Sequence, residues 1–401
     1  MTTTAEIAIP QSAEDIAPSW VQQVLQKDFP GITITDVDVK GSISEGEGFM
    51  SNIIAFDAVG TRNGTSQRYS LVAKLTDFQR PLTIMKEWPK EYHINIEKIE
   101  TQFYSDAVPD LLSVAIPSTE REPTSANEKD ENKAPDDSFF SPKCYFAATD
   151  PSSMMSVRVM ENLKTQGFSI KANGQPLSRE EMMPIVAALA QLHGLSHRLE
   201  LRSGKPLPET YGWIVTRSDI TSVMNIMTNQ HQTFVKDFAA AFPDQTDLVA
   251  SLRKLDLRAI LKDDSRLKVL CHADCYANNI MIKHNGDVPA DAKLVDWQTT
   301  MYAVPTYDLT ILFLCNTSWD VFHNDRDAIL AHYHHKLQET LGPDGDVILV
   351  PSGLQSYTLE QLKADFKADC LHGLIYRFTR ATPPSPDLVQ MIQEIKEWGL
   401  I

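Results

Sequence analysis

Hydrophobic and polar residues alternate in four stretches within the first 160 positions, and further along the period lengthens to that of a helix. Ile32-Thr33-Ile34-Thr35-Asp36-Val37, Asn52 to Val59, Tyr69 to Leu75 and Ser156 to Met160 place apolar side chains at about every second position, the period of a half-buried strand. Gly41 to Phe49, reading GSISEGEGF, predicts a glycine-bearing turn between the first two, and Arg62-Asn63-Gly64-Thr65 predicts a hairpin turn between the second and third. Lys74 interrupts an otherwise apolar strand. From Ser178 the pattern changes. Ser178 and Glu181 form a capping box, and Met182, Ile185, Val186, Leu189 and Leu192 then fall on one face of a helix. Three short strands follow: Val269-Leu270-Cys271, Ile280-Met281-Ile282 and Lys293-Leu294-Val295, with His284-Asn285-Gly286-Asp287 as a tight turn between the last two.

Those short strands frame the candidate chemistry. The first ends at His272, the loop after it carries Asp274 and Asn279, and the third delivers Asp296. His-x-Asp-x-x-x-x-Asn is the spacing of a phosphoryl-transfer loop. Such a transfer needs little covalent help, so its residues position a hydroxyl and neutralise charge. Asp274 suits the role of base or hydroxyl-orienting group. Asn279 offers an amide oxygen and Asp296 a carboxylate, both suited to a hard cation such as Mg2+. His272 joins Asp274 in the candidate catalytic set, with ordering of the loop as its stronger role. A turn rich in polar residues is the plain alternative, but order and spacing both match the chemistry.

In these residues the chain resembles the kinase-like small-molecule phosphotransferases, a superfamily that includes aminoglycoside phosphotransferases and choline kinases. It looks most similar to the ecdysteroid-kinase-like group. The resemblance is carried by His272-Ala273-Asp274 with Asn278-Asn279-Ile280-Met281, and by Val295-Asp296-Trp297-Gln298. The doubled Asn and the Gln after the aromatic favour that group over choline kinases. The resemblance extends from about Gly41 to Asp369 and implies further roles. Gly46 and Gly48 would belong to the nucleotide loop, although alone they fit an ordinary hairpin turn because a third glycine at the usual spacing is missing. Lys74 would contact the nucleotide phosphates and pair with Glu100, with Glu97 as near competitor. By itself Lys74 fits an edge-strand lysine equally well, and Glu100 a solvated helix carboxylate. Glu161-Asn162-Leu163 resembles the hinge whose backbone holds adenine, so Glu161 and Leu163 join the cofactor-binding set. Leu192-His193, Tyr307-Asp308-Leu309 and Tyr357 to Leu362 with Asp365 match further shared elements, Asp308 as a brace for the catalytic loop.

The implied fold is α+β: a bilobal, protein-kinase-like arrangement with ATP in the cleft. Its small lobe, residues 1–160, would carry an antiparallel sheet; its larger, mainly helical lobe, residues 161–401, would carry the catalytic hairpins. The stretch from Asp296 to Asp308 is too short for the peptide platform of a protein kinase, which favours a small acceptor.

Composition narrows the picture. At 401 residues with 42% hydrophobic content, the chain can bury two sizeable cores. A formal net charge of -16 argues against a nucleic-acid or anionic-membrane surface. Met1 to Ala17 lacks the features of a signal peptide, and no apolar run is long enough to span a bilayer. Five irregularly spaced cysteines fit a reducing compartment, so a cytoplasmic location is expected. Cys271, His272 and Cys275 are close together, but zinc needs a second ligand cluster that the sequence does not supply. Ser118 to Ser141 is polar, charged and proline-bearing, and reads as a long exposed insertion in the first lobe, passive or lid-like.

The expected function is an ATP- and Mg2+-dependent kinase acting on a hydroxyl of a small organic molecule: steroid-like, an amino alcohol or another secondary metabolite. The alternatives are an aminoglycoside, macrolide or choline-type phosphotransferase and, in another class, a nucleotide-binding pseudokinase scaffold. Protein partners are not legible in the sequence.

Overall fold

A computed structural model describes residues 7–43, 51–78, 88–115, 139–172, 174–216, 224–260, 265–342, 349–350, 353–354, 357–379 and 384–401. The chain divides into two compact units, Met1–Pro109 with Ser141–Phe168, and Asp110–Phe140 with Ser169–Ile401.

The first unit is built on a five-stranded sheet of β1 (Thr33–Ser42), β2 (Asn52–Arg62), β3 (Thr65–Asp77), β4 (Cys144–Asp150) and β5 (Met155–Glu161). Their order is β1-β2-β3-β5-β4, and every neighbouring pair is antiparallel. Asn63 and Gly64 both have positive φ, at 51° and 78°, as a two-residue type I′ hairpin between β2 and β3 requires. Strand alternation gives the sheet two different faces. Ile54, Phe56, Leu71, Ala73, Leu75, Val157 and Val159 share a core with Trp20, Val21, Val24 and Leu25 of α1 (Pro18–Leu25). The intervening residues Lys74 and Arg158 pair across β3 and β5 and are buried too. Their charge is met by Glu97 and Glu100, three positions apart on one face of α2 (Lys90–Gln102).

In the second unit the predicted capping box starts α3 (Arg179–Ser203): the Glu181 amide donates to Ser178 Oγ at 3.2 Å and the Ser178 amide to Glu181 Oε2 at 2.8 Å. Further helices are α4 (Met224–Ala241), α5 (Thr306–Asn316), α6 (Arg326–Leu341), α7 (Leu359–Thr379) and α8 (Pro386–Glu397). Nearly every residue of α5 is buried, which suits a helix apolar all round. The short strands are β6 (Val269–Cys271), β7 (Ile280–Asn285), β8 (Val288–Leu294) and β9 (Met301–Ala303). β6 pairs antiparallel with β9, and β7 with β8 around a turn in which Gly286 has φ 62°.

Three details differ from the sequence reading. The strand expected over Lys293–Val295 starts at Val288 and ends at Leu294, because Val288, Pro289 and Asp291 to Leu294 find partners on β7 across a bulge at Ala290. The units part at 168/169 rather than 160/161: the Asn162 amide donates to Ser70 O at 3.0 Å, which keeps the end of β5 on the sheet of the first unit. The insertion is not exposed along its whole length. Residues 118–138 lie outside the described residues, but Phe140 is only 1% exposed, its carbonyl accepts from Leu294 N at 2.7 Å, and its ring packs on Trp297. An apolar pair at the end of a polar segment finds the nearest core. Among the described residues no helix is long and apolar enough to cross a membrane.

Candidate active site

The loop between β6 and β7 is held by main-chain bonds at nearly every step. His272 is fully buried and its ring is fixed at both nitrogens. Nε2 donates to Val295 O at 2.9 Å, which leaves Nδ1 to accept the Asp274 amide at 3.2 Å. One tautomer satisfies both contacts. The imidazole ties the loop to the segment that delivers Asp296, and with neither nitrogen turned to solvent it acts as an organiser. Trp297 packs on the same ring, with centroids 4.5 Å apart.

Helix α5 grips the loop from beneath at both ends. In its first turn, Asp308 accepts from the His272 amide at 2.8 Å, the Ala273 amide at 2.7 Å and His193 Nε2 at 3.1 Å. Burial opposes charge on this carboxyl, yet its hydrogen bonds from His193 and the Ala273 amide prevail and hold it below the usual carboxylate range. His193 Nδ1 in turn meets the Tyr333 hydroxyl at 2.7 Å, and burial keeps that phenol protonated. At the other end of α5, Asn316 accepts from the Ala277 amide at 2.7 Å and donates to Cys275 O at 2.8 Å. Ala273 adopts φ 63°, outside the region favoured by residues with a side chain, which presents two successive amides to one carboxylate. Asp296 also has positive φ, at 67°. Left-handed residues each cost about 1–2 kcal/mol, and this loop system carries two of them.

The outcome is that Asp274, Asn279 and Asp296 are half-buried on one framework. Asn279 donates from Nδ2 to Asp274 O at 3.0 Å, which turns its amide oxygen to the opposite side, and its carbonyl accepts from Val295 N at 3.0 Å. An amide oxygen and a carboxylate are the hard donors a magnesium ion takes, so the donor set fits that ion. The Asp274 carboxylate accepts a hydrogen bond at Oδ1 from the Tyr376 hydroxyl of α7.

Zinc chemistry finds little support. Cys275 is buried, and burial together with Asp308 pushes its thiol far up. His193, Cys271 and Asp308 converge, but both His193 nitrogens and both Asp308 oxygens are already engaged.

In the first unit, Lys74 Nζ reaches Glu100 at 3.0 and 2.9 Å, both groups being buried. The competitor Glu97 has a different partner. Arg158, fully buried, donates to the Glu97 carboxylate and carbonyl, binds Ser156 Oγ at 2.7 Å and lies 3.4 Å from Glu100. Ser156 also donates to Glu97 at 2.6 Å. Among the described residues, two acids and two bases thus meet in one buried network that holds Lys74 in place. At the end of β5, Glu161 accepts from the Lys143 amide at 2.8 Å and Gln166 at 2.7 Å, and Leu163 is buried. Gly46 and Gly48 lie outside the described residues.

The structure therefore gathers His272, Asp274, Asn279 and Asp296 in the second unit, and Lys74 with Glu100 in the first. Sequence reasoning did not single out Arg158, Asn316 or Tyr376. Arg158 had a signal, a charge at an alternating position of an apolar strand; Tyr376 had none.

A search of solved structures finds a GDP complex of a mutant aminoglycoside 2′-phosphotransferase-IIIa, 14% identical, covering 95% of this chain and 98% of that one, with a TM-score of 0.38. A GDP and kanamycin complex of a related aminoglycoside phosphotransferase is 12% identical, with coverage of 94% and 98% and a TM-score of 0.34. A microcompartment-associated aminopropanol kinase is 11% identical, with coverage of 93% and 94% and a TM-score of 0.36. No protein of curated function matches the sequence. The sequence profile of the ecdysteroid kinase-like family matches residues 45–343, which take in Lys74, Glu100, the loop, the Asp296 segment and Asp308, and the chain belongs to that family.

Proposed function

We propose that the protein is an ATP- and magnesium-dependent kinase that phosphorylates a hydroxyl group of a small organic molecule. The observation that carries this reading is the loop braced by Asp308 and His272, which displays Asp274 and Asn279 and is tied through His272 to the segment that delivers Asp296. In the proposed reaction the acceptor oxygen forms a bond to the γ-phosphorus, the bond from that phosphorus to the bridging oxygen breaks, and ADP leaves. Asp274 orients the acceptor hydroxyl and takes its proton. Asn279 and Asp296 hold magnesium, which when bound neutralises phosphate charge. Lys74, kept in place by Glu100, steadies the phosphates. Gly46 and Gly48 would serve the nucleotide loop, and the main chain from Glu161 to Leu163 would hold adenine. Family membership favours a steroid-like alcohol or another secondary metabolite, with amino alcohols, aminoglycosides and macrolides as comparison acceptors. A cytoplasmic location fits five cysteines that remain free thiols.

The test is phosphorylated product, read by mass spectrometry, from purified protein with ATP and magnesium across sterols, amino alcohols, aminoglycosides and macrolides. Asp274→Ala should lower turnover by roughly 100-fold or more with nucleotide binding retained. Asp296→Ala, or chelation of magnesium, should abolish magnesium-dependent nucleotide binding as well. Normal turnover in either variant would sink the assignment, and tight magnesium-independent ATP binding without product would point to a nucleotide-binding scaffold.

A further inference from the structure

We infer that Tyr376 is a positioning residue for this transfer: its hydroxyl holds Oδ1 of the Asp274 carboxylate and so directs Oδ2 toward the acceptor hydroxyl. The inference rests on the kinase reading above. The backbone of Asp274 is pinned on both sides, its amide to His272 Nδ1 at 3.2 Å and its carbonyl to Asn279 Nδ2 at 3.0 Å and the Tyr376-independent amide of Tyr276 at 2.7 Å. Those bonds set where the side chain starts, but they leave rotation about its own bonds unspecified. The Tyr376 hydroxyl supplies a directional contact to the carboxylate itself. A hydroxyl donating to an ionised carboxylate is among the stronger hydrogen bonds, and a phenol on two torsions is a stiff support for it.

The placement of Tyr376 is built into the fold. Gly373, one turn before it on α7, lies against the main chain of Thr310 on α5, where a β-carbon would collide with the carbonyl. Arg377, the next residue, donates to Leu314 O at the far end of α5. Thr306, at the start of α5, donates to Asp369 of α7. Three contacts thus register α7 on the helix whose Asp308 and Asn316 clamp the catalytic loop. Helix α5 serves as a common reference for the base and for the hydroxyl that orients it.

Tyr376→Phe removes that hydroxyl and little else. With an acceptor turned over by the wild type, kcat should fall about tenfold, equivalent to about 1.4 kcal/mol of barrier, while KM for ATP and for the acceptor stays within about twofold. Loss confined to kcat separates positioning from binding. Melting temperatures of Tyr376→Phe, Asp274→Ala and the double variant supply a readout that needs no turnover: the two single shifts should fail to add. An unchanged kcat overturns the role, as does a lower acceptor KM at unchanged kcat, which would mark the phenol as a competitor for the acceptor's place. Strictly additive melting shifts overturn the contact. If the wild type forms no product with any acceptor, the kinase reading fails and the role falls with it; product formation with unaltered Tyr376→Phe kinetics defeats the role alone.

Discussion

Replacing Arg158 by methionine isolates the energetics of the buried charge network. Methionine keeps an unbranched stem, so little packing is lost and the change is mainly electrostatic. Arg158 is fully buried, as is Glu100, and Glu97 is only 2% exposed. With the guanidinium gone, Glu97 retains the Ser156 hydroxyl at 2.6 Å, and Lys74 remains bound to Glu100. Among the described residues, two buried carboxylates then share one buried ammonium. Removing one partner of a buried ion pair costs about 3–5 kcal/mol, because the surviving charge is stranded away from water. For a unit of this size that corresponds to a fall in melting temperature of roughly 10 °C. Calorimetry measures the fall, and Glu97→Leu combined with Arg158→Met supplies the control. That pair of changes removes one acid and one base, leaves Lys74 with Glu100, and should be more stable than Arg158→Met alone by about 2–4 kcal/mol. A loss below about 1 kcal/mol for Arg158→Met would refute the reasoning, since it would mean that the Glu97 carboxylate is neutralised or hydrated at no cost.

Two further outcomes follow from buried groups in the second unit. His197 is 5% exposed, neither ring nitrogen has a hydrogen-bond partner among the described residues, and burial lowers its pKa. The unfolded chain therefore takes up a proton near pH 6.5 that the folded chain refuses, so this contribution to stability is present above about pH 6.5 and is lost as pH falls below it. His197→Leu should lose less melting temperature than wild type between pH 7.5 and 5.5, and an identical loss would contradict that account. Gly373→Ala places a β-carbon against the Thr310 carbonyl, forcing α5 and α7 apart at a cost of about 1–3 kcal/mol. Its turnover should fall alongside its melting temperature, because Tyr376 moves with α7; full activity in the destabilised variant would separate the two.

Much of the architecture was legible along the chain because short-range rules govern it. Alternation marked four of the five strands of the first sheet, Asn63-Gly64 marked the hairpin between two of them, Gly286 marked the turn between β7 and β8, and Ser178 with Glu181 marked the start of α3, each needing only a few neighbouring residues. The His272 to Asn279 loop was readable for the same reason: its residue types and spacing lie within one segment. What only the tertiary structure decided is which distant groups complete those segments. Glu100 rather than Glu97 faces Lys74 across 26 positions, and Arg158 meets Glu97 across 61. The Asp308 carboxylate grips amides 35 and 36 positions away, and Tyr376 reaches Asp274 from 102 positions along the chain. Local periodicity assigns a residue to a face, but the partner across that face is chosen by helix register and by where one backbone can approach another, as Gly373 permits against Thr310.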